Sequence, residues 1–449
     1  MPLRDVTVPL PVAAAAAVAS AAVAVAAYHL AAPSADGGIP PPSTSPPAAS
    51  TGTAASTVAS PSAAPAPAAA DATATPAAST TTTTATASIA VTAPISPPPS
   101  QPPLADGWLV GVELGGTTCV AACSRLSDPT VVVNRLELPT ATPADTLPAL
   151  VAWVAARVAP ADGVGGGKRD DGGGGGDEDG GDPNLDGAAV APLPLLAIGV
   201  ASFGPLVVDP GSAAYGCIRH TPKVAWRGVN VLDPFRRFDV PLGLDTDVNA
   251  PALAELRYGQ HGTATNIAYI TVGTGIGVGA VVNGAPLHGL LHPEAGHLPV
   301  RPHPNDAYKG CLATHASGVE SMACSRALAD RVGGPSFPVG DLPGVPDEHP
   351  VWTLAAHYLG GLVISLTYVL SPQVVVLSGG VVQRPGLVEA VRAATVAANE
   401  GYLDVPALTL GGIDAYVVRS RFGNAAGVVG ALEVGRRALE GRREGETGK

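Results

Sequence analysis

A two-lobed α/β protein with a cleft between the lobes is the fold the sequence predicts, and three features predict it. Of the 4 Trp, 9 Tyr and 5 Phe, all but Tyr28 lie at or beyond Trp108, so a packed core begins near residue 106. Beyond that point, apolar runs of strand length alternate with helix-length stretches. Glycine-rich turns follow strands in both halves of the region, an arrangement that opens a ligand crevice between them.

Taken in chain order, the first hundred residues are Ala, Ser, Thr and Pro with Arg4 as the one Lys or Arg. They carry too little bulky apolar surface to offset the entropy of ordering them. Within them, residues 10–32 form an uncharged Ala-rich run that reads as a targeting presequence, a low-complexity tail or a signal anchor. Residues 33–105 read as a disordered Pro/Ser/Thr/Ala linker. WLVGVEL and CVAACSRL, joined by a Gly-Gly pair, predict a β-hairpin. A helix follows over Thr146 to Val158, with apolar residues at Leu147, Leu150, Val151, Val154 and Val158. Residues 162–187 are a Gly/Asp-rich insertion.

PLLAIGVASFGPLVV resumes as a buried strand ending in a glycine turn. The PLGL strand leads into a helix with Asn249 as its cap and Pro251 in its first turn. NIAYITVGTGIGVGAVVNG reads as strand, glycine loop and strand. Residues 351–371 are apolar on nearly every face, which makes a central core helix or a subunit-interface helix. QVVVLSGGVV is a strand running into a Gly-Gly turn. The N-terminal lobe is thus expected over 106–246 and the C-terminal lobe over 247–449, with the last helix packing back on the first lobe.

The net charge of −12, from 37 acidic and 25 basic residues, argues against a nucleic-acid partner, which needs a basic surface. Residues 162–186 hold eight acids against Lys168 and Arg169, so half of that charge is local. The 5 cysteines, irregularly spaced and without a CxxC pair, fit reduced thiols.

Four motifs have the residue types that chemistry needs. Gly115, Gly116, Thr117 and Thr118 form a turn that is either plain or able to cradle a phosphate with backbone N–H groups and hydroxyls. Gly273, Thr274 and Gly275 offer the same between two strand runs; a strand follows instead of a helix, which argues against a dinucleotide site. Asp247 stands just before a helix N-terminus, where it either caps the helix with Asp245 or accepts a proton in the cleft. His292, Glu294 and His297, followed by His303, Cys311 and His315, combine a polyol-binding acid with metal-ligating types.

Taken in this order, these blocks resemble the ROK family of sugar kinases, in its bacterial-type fructokinase branch. GVELGGTT is similar to the first phosphate loop, with Glu113 where other kinases of this fold have Asp, and VGTGIGVGAVVNG to the second. IGVASFGPLVVDPGSAAYGCIRHTPKVAW, LDTDVNAPALAE, LHPEAGHLPVRPHPNDAY and VVVLSGGVV match its middle, catalytic, sugar-binding and nucleotide-side motifs. The resemblance implies an actin-like ATPase fold (ribonuclease H-like) that closes over a hexose and ATP, with Mg²⁺ as the cofactor of ATP. It implies Asp247 as the general base, Asn249, Glu294, His297 and Glu320 on the sugar, and Gly115, Gly116, Thr117, Gly273, Thr274, Gly275, Gly379 and Gly380 at the nucleotide. Thr118 stands where the family has Lys. The family's C-x2-H-x2-C zinc loop falls on Leu312, His315 and Gly318, leaving His297, Cys311 and His315 as a degenerate set for Zn²⁺.

The implied activity is an ATP-dependent fructokinase making fructose 6-phosphate. Glucose or N-acetylmannosamine as acceptor, or a non-catalytic sugar sensor on a degenerate kinase, are the rival readings. A homodimer is the expected assembly. The compartment is one that supplies ATP, cytoplasm or organelle, with the membrane involved only if residues 10–32 anchor the chain.

Overall fold

The computed structural model describes residues 105–158 and 193–447. The expected presequence, linker and Gly/Asp insertion lie outside the described residues. Two five-stranded sheets organise the rest.

The first sheet contains β1 (Trp108–Leu114), β2 (Thr118–Arg125), β3 (Asn134–Pro139), β4 (Leu195–Ser202) and β5 (Leu242–Thr246), ordered β3-β2-β1-β4-β5. β1 and β2 form the expected antiparallel hairpin, while β4 and β5 add on in parallel. The second sheet repeats the pattern with β6 (Ile267–Val272), β7 (Ile276–Val282), β8 (Ala285–Pro286), β9 (Val374–Ser378) and β10 (Val417–Arg419), ordered β10-β9-β6-β7-β8. Each sheet is an antiparallel three-strand meander with two parallel strands added beside its first strand. The same topology therefore occurs twice in the chain.

Helix α1 (Pro143–Val158) begins three positions earlier than the apolar periodicity indicated. Pro is tolerated in a first helical turn, where its missing N–H has no partner to lose. Thr142 Oγ donates to Asp145 Oδ2 at 2.6 Å there. Leu147, Leu150, Val151 and Val154 of α1 pack on Trp108, Val110, Val112 and Leu114 of β1. Strand alternation turns Gly111 and Glu113 to the opposite face.

That face is covered by α8 (Ala426–Thr447), which lies on β1, β4 and β5. Gly111, Gly199 and Gly243 are register neighbours across these three strands. A Cβ at Gly199 would lie 1.9 Å from Ala431 O, and one at Gly243 2.4 Å from Val434 O. The glycine row lets the helix backbone rest directly on the sheet.

Between β5 and β6 runs α2 (Asn249–Tyr258), packed on both α8 and the second sheet. Thr246 Oγ, and not Asn249, accepts at the start of this helix, from Asn249 N at 3.0 Å. Tyr258 donates to the fully buried Glu433 of α8 at 2.7 Å, and Arg436 and Arg437 also bind that carboxylate. Glu255 accepts from Ser420 Oγ at 2.6 Å and Arg421 N at 2.9 Å. These bonds fasten the middle layer to the chain entering α8.

The other face of the second sheet is covered by α3 (Val319–Ala323), α4 (Ser325–Gly333), α5 (Val351–Leu370), α6 (Leu387–Asn399) and the short α7 (Ile413–Tyr416). α5 is the one helix among the described residues long and apolar enough to cross a membrane. It is a core helix: Tyr358, Leu359, Leu362 and Val363 are buried among Ile270, Val278 and Leu377. Of the two sequence readings the core reading holds, since its large apolar side chains are exposed only at the C-terminal end, at Tyr368 and Val369.

Candidate active site

The loops that follow β1 and β6 come from equivalent places in the two repeats, and they meet. Thr117 Oγ lies 3.3 Å from Thr274 Oγ, although the two are far apart in sequence. Gly273 N donates to Gly275 O at 2.9 Å, closing the second loop into a tight turn. Ser325 N donates to Gly273 O at 2.8 Å, so the start of α4 supports the loop from behind. Gly379, at the end of β9, has φ +92°, and a Cβ there would lie 2.3 Å from Val272 O. Only glycine is accommodated at such a contact, which places Gly379 against the end of β6 where the second loop begins, while a Cβ at Gly380 would meet open space.

Asp247 follows β5, with its N–H on Ser202 O at 3.0 Å. Burial and the neighbouring Glu294 carboxylate push its carboxyl up to about 7. Glu113 is likewise raised to about 7, by burial and then by Asp247. Its carboxyl lies against Gly427, where a Cβ would be 2.0 Å from Glu113 Oε1, so it sits at the positive end of α8. Glu294, half-exposed, is raised to about 7 by partial burial and by Glu320. Glu320 Oε2 accepts from Ile276 N at 2.8 Å and lies close under Gly275. The four acids Glu113, Asp247, Glu294 and Glu320 thus form a chain from the first loop to the second.

This arrangement fits MgATP. The hydroxyls of Thr117 and Thr274 meet where the two glycine loops approach, and the crowded carboxylates suit a hard divalent cation with oxygen ligands. Glu113 is the residue that would hold the cation, which leaves Asp247 free for a proton.

One expectation is refined and one needs correction. Asn249 is fully buried: its Oδ1 accepts from Ala280 N on β7 at 3.0 Å, while its Nδ2 has no partner. The acceptor fastens α2 to the second sheet and the amide donor is left for a ligand. His297, Cys311 and His315 do not assemble a zinc set. The two imidazoles lie with ring centres 4.8 Å apart, but the Cys311 thiol turns to Cys324 at 3.6 Å. Among the described residues, no group of three His, Cys, Asp or Glu side chains could hold a metal. The donor set does not fit zinc, and His297 Nδ1 is buried without a partner.

The structure also gives roles to residues that the motifs left without one. His292 Nε2 accepts from Leu206 N at 3.0 Å, which fastens the Glu294 segment to the turn after β4. Burial holds this imidazole below its ordinary value, which favours the neutral form that can accept. His288 Nε2 bonds buried Asp245 at 3.1 Å, and that pair raises His288. Asp245 is therefore a structural acid, two residues before Asp247. The HPE and DTD triplets contained His292 and Asp245, while His288 lay outside them, and only their partners reveal the roles.

Among proteins of known kind, the sequence model described as "ROK family" matches residues 186–437. A fructokinase of Pediococcus pentosaceus is 29% identical over 74% of this chain and 99% of its own length. A fructokinase of Zymomonas mobilis is 36% identical over 52% of this chain and 75% of its own. The crystal structure of a ROK hexokinase from Thermus thermophilus superposes with a TM-score of 0.52 at 26% identity, covering 74% of this chain and 99% of that one.

Proposed function

Since the chain belongs to the ROK family, we propose that it is an ATP-dependent hexose kinase of the actin-like ATPase fold, with fructose as its acceptor. The observation that carries the nucleotide half of this reading is the meeting of Thr117 and Thr274 at 3.3 Å. In this reading the two glycine loops hold the phosphates of ATP from both sides. Mg²⁺ arriving with ATP supplies charge neutralisation on the transferred phosphoryl group.

Asp247 takes the proton from the acceptor hydroxyl of the sugar. An acid near 7 is well matched to this task, because it is ionised at neutral pH yet basic enough to accept. Glu294 and His297 hold the sugar hydroxyls, and Glu320 fixes the turn at Gly275 and Ile276. Phosphoryl transfer needs chiefly positioning and charge balance, which are the terms these residues provide. The proposed compartment is one that supplies ATP. Homodimerisation, and membrane attachment through residues 10–32, are carried by the sequence alone.

The test is a coupled assay of ADP release with fructose, glucose, mannose and N-acetylmannosamine in turn. Fructose is expected to give the highest kcat/KM. Turnover of another hexose with higher kcat/KM reassigns the acceptor, and sugar binding without turnover of any hexose favours the sensor.

The acids also set a pH dependence. Protonation removes the base, so kcat/KM is expected to fall about tenfold per unit as pH drops below about 7. Glu113 and Glu294 titrate in the same range, so the apparent midpoint belongs to the cluster. A flat profile from about pH 5.5 to 8 would contradict Asp247 as the base.

A further inference from the structure

The Cys311 and Cys324 thiols are left without a function by the site, and their geometry is that of partners. Their sulfurs stand 3.6 Å apart. A disulfide needs about 2.0 Å, so an approach of roughly 1.5 Å closes it. Cys324 is 2% exposed and is held at the junction of α3 and α4 by its N–H on Glu320 O at 3.0 Å. Cys311 is half-buried in the irregular segment between His297 and α3, where the chain can absorb the movement. Its register is already set: Cys311 N donates to Ser321 O at 3.1 Å and Leu312 N to Ser321 Oγ at 3.0 Å. The other half-buried cysteine, Cys217, lies on a different element.

We propose that Cys311 and Cys324 are a disulfide-forming pair, and that their oxidation by a low-molecular-weight disulfide staples the His315 segment to the helix carrying Glu320 and tightens hexose binding. The Cys311 thiolate attacks one sulfur of oxidised glutathione, forming a mixed disulfide and releasing one glutathione thiolate. Cys324 then attacks the Cys311 sulfur and releases the second. Two protein thiols become one disulfide, one disulfide reagent becomes two thiols, and the two protons leave on those thiols.

The bond would act on the site through two short paths. Cys324 lies one turn after Glu320, whose carboxylate holds Ile276 N at 2.8 Å. Ser325, the next residue, holds Gly273 O at 2.8 Å. On the other side, Gly318 N holds His315 O at 2.7 Å and Val319 N holds Leu298 O at 2.9 Å, so the segment enclosed by the staple is continuous with His297. A covalent tie removes freedom that the sugar would otherwise have to remove on binding.

The hexose effect rests on the proposed function, whereas the cross-link does not, and the experiment separates them. The full chain is incubated with oxidised glutathione and digested for peptide mass analysis. The expected product is a Cys311–Cys324 linked peptide that dithiothreitol abolishes. In Cys324→Ser, glutathione is expected to stay on Cys311; in Cys311→Ser, which covers a folding failure of the first variant, none is taken up at Cys324. Fructose affinity measured by titration calorimetry is expected to rise about threefold or more in oxidised wild type and in neither variant. Glutathione persisting on Cys311 in wild type, or no linked peptide, overturns the pair. Equal fructose affinity of oxidised and reduced protein overturns the coupling. If neither form binds fructose, the acceptor assignment fails while the mass readout still decides the cross-link.

Discussion

Replacing Asp247 with Ala is expected to lower kcat about a thousandfold, the scale of a positioned general base, with a smaller change in the KM for sugar. The carboxylate acts on the proton of the attacking hydroxyl, so its removal withdraws an interaction that grows in the transition state. Asp247→Asn should behave alike, since the amide keeps the shape but cannot take the proton. Stability should not fall with it. Asp247 is held at about 7 by burial and Glu294, and it raises Glu113 in turn, so a neutral side chain relieves repulsion among the acids. The coupled assay together with a thermal midpoint checks both halves. A variant that keeps more than about a tenth of wild-type kcat would remove Asp247 from the role of base.

The second large effect is expected from one added methyl group. Gly279 on β7 pairs with Tyr269, and a Cβ there would lie 2.0 Å from Val248 O and 2.8 Å from Asn249 N. Gly279→Ala must therefore push β7 away from the start of α2, the residues that follow Asp247. Overpacking of this kind costs about 1–3 kcal/mol. A displacement near 1 Å at a catalytic group costs about a hundredfold in rate. The measurable result is a lower unfolding midpoint accompanied by a fall in kcat greater than the lost folded fraction explains. Unchanged kcat per folded molecule would show that the helix start tolerates the shift. Gly284→Ala, at a tip with open space around the glycine but φ +77°, is the control for backbone strain alone.

Much of this architecture was legible because it rests on local pattern. The β1–β2 hairpin follows from two apolar runs around Gly115 and Gly116, and the core helix from an uninterrupted apolar stretch. The two glycine turns were legible for the same reason: each resides in consecutive residues between two strands. What was not legible depends on contacts across the chain. Nothing adjacent to Asn249 reveals that Ala280 N takes its Oδ1, so its fastening of α2 to β7 was not legible. Cys311 stood one place from a zinc motif, while its true neighbour, Cys324, lay beyond the motif's window. Glu113 could be assigned to the face opposite the β1 core by alternation, but Asp247, the acid that raises it, belongs to another strand end.

The seating of α8 on Gly111, Gly199 and Gly243 also orders events during synthesis. This helix follows every other described element, yet it covers one face of the sheet that forms first along the chain. Until residues 426–439 leave the ribosome, the strip formed by Leu109, Gly111, Gly199 and Gly243 has no cover of its own. The nascent first lobe therefore carries an open apolar flank while the second is translated, the condition under which chaperones engage emerging chains. Closure of that flank and completion of the active site, with Glu113 against Gly427, become a single late step.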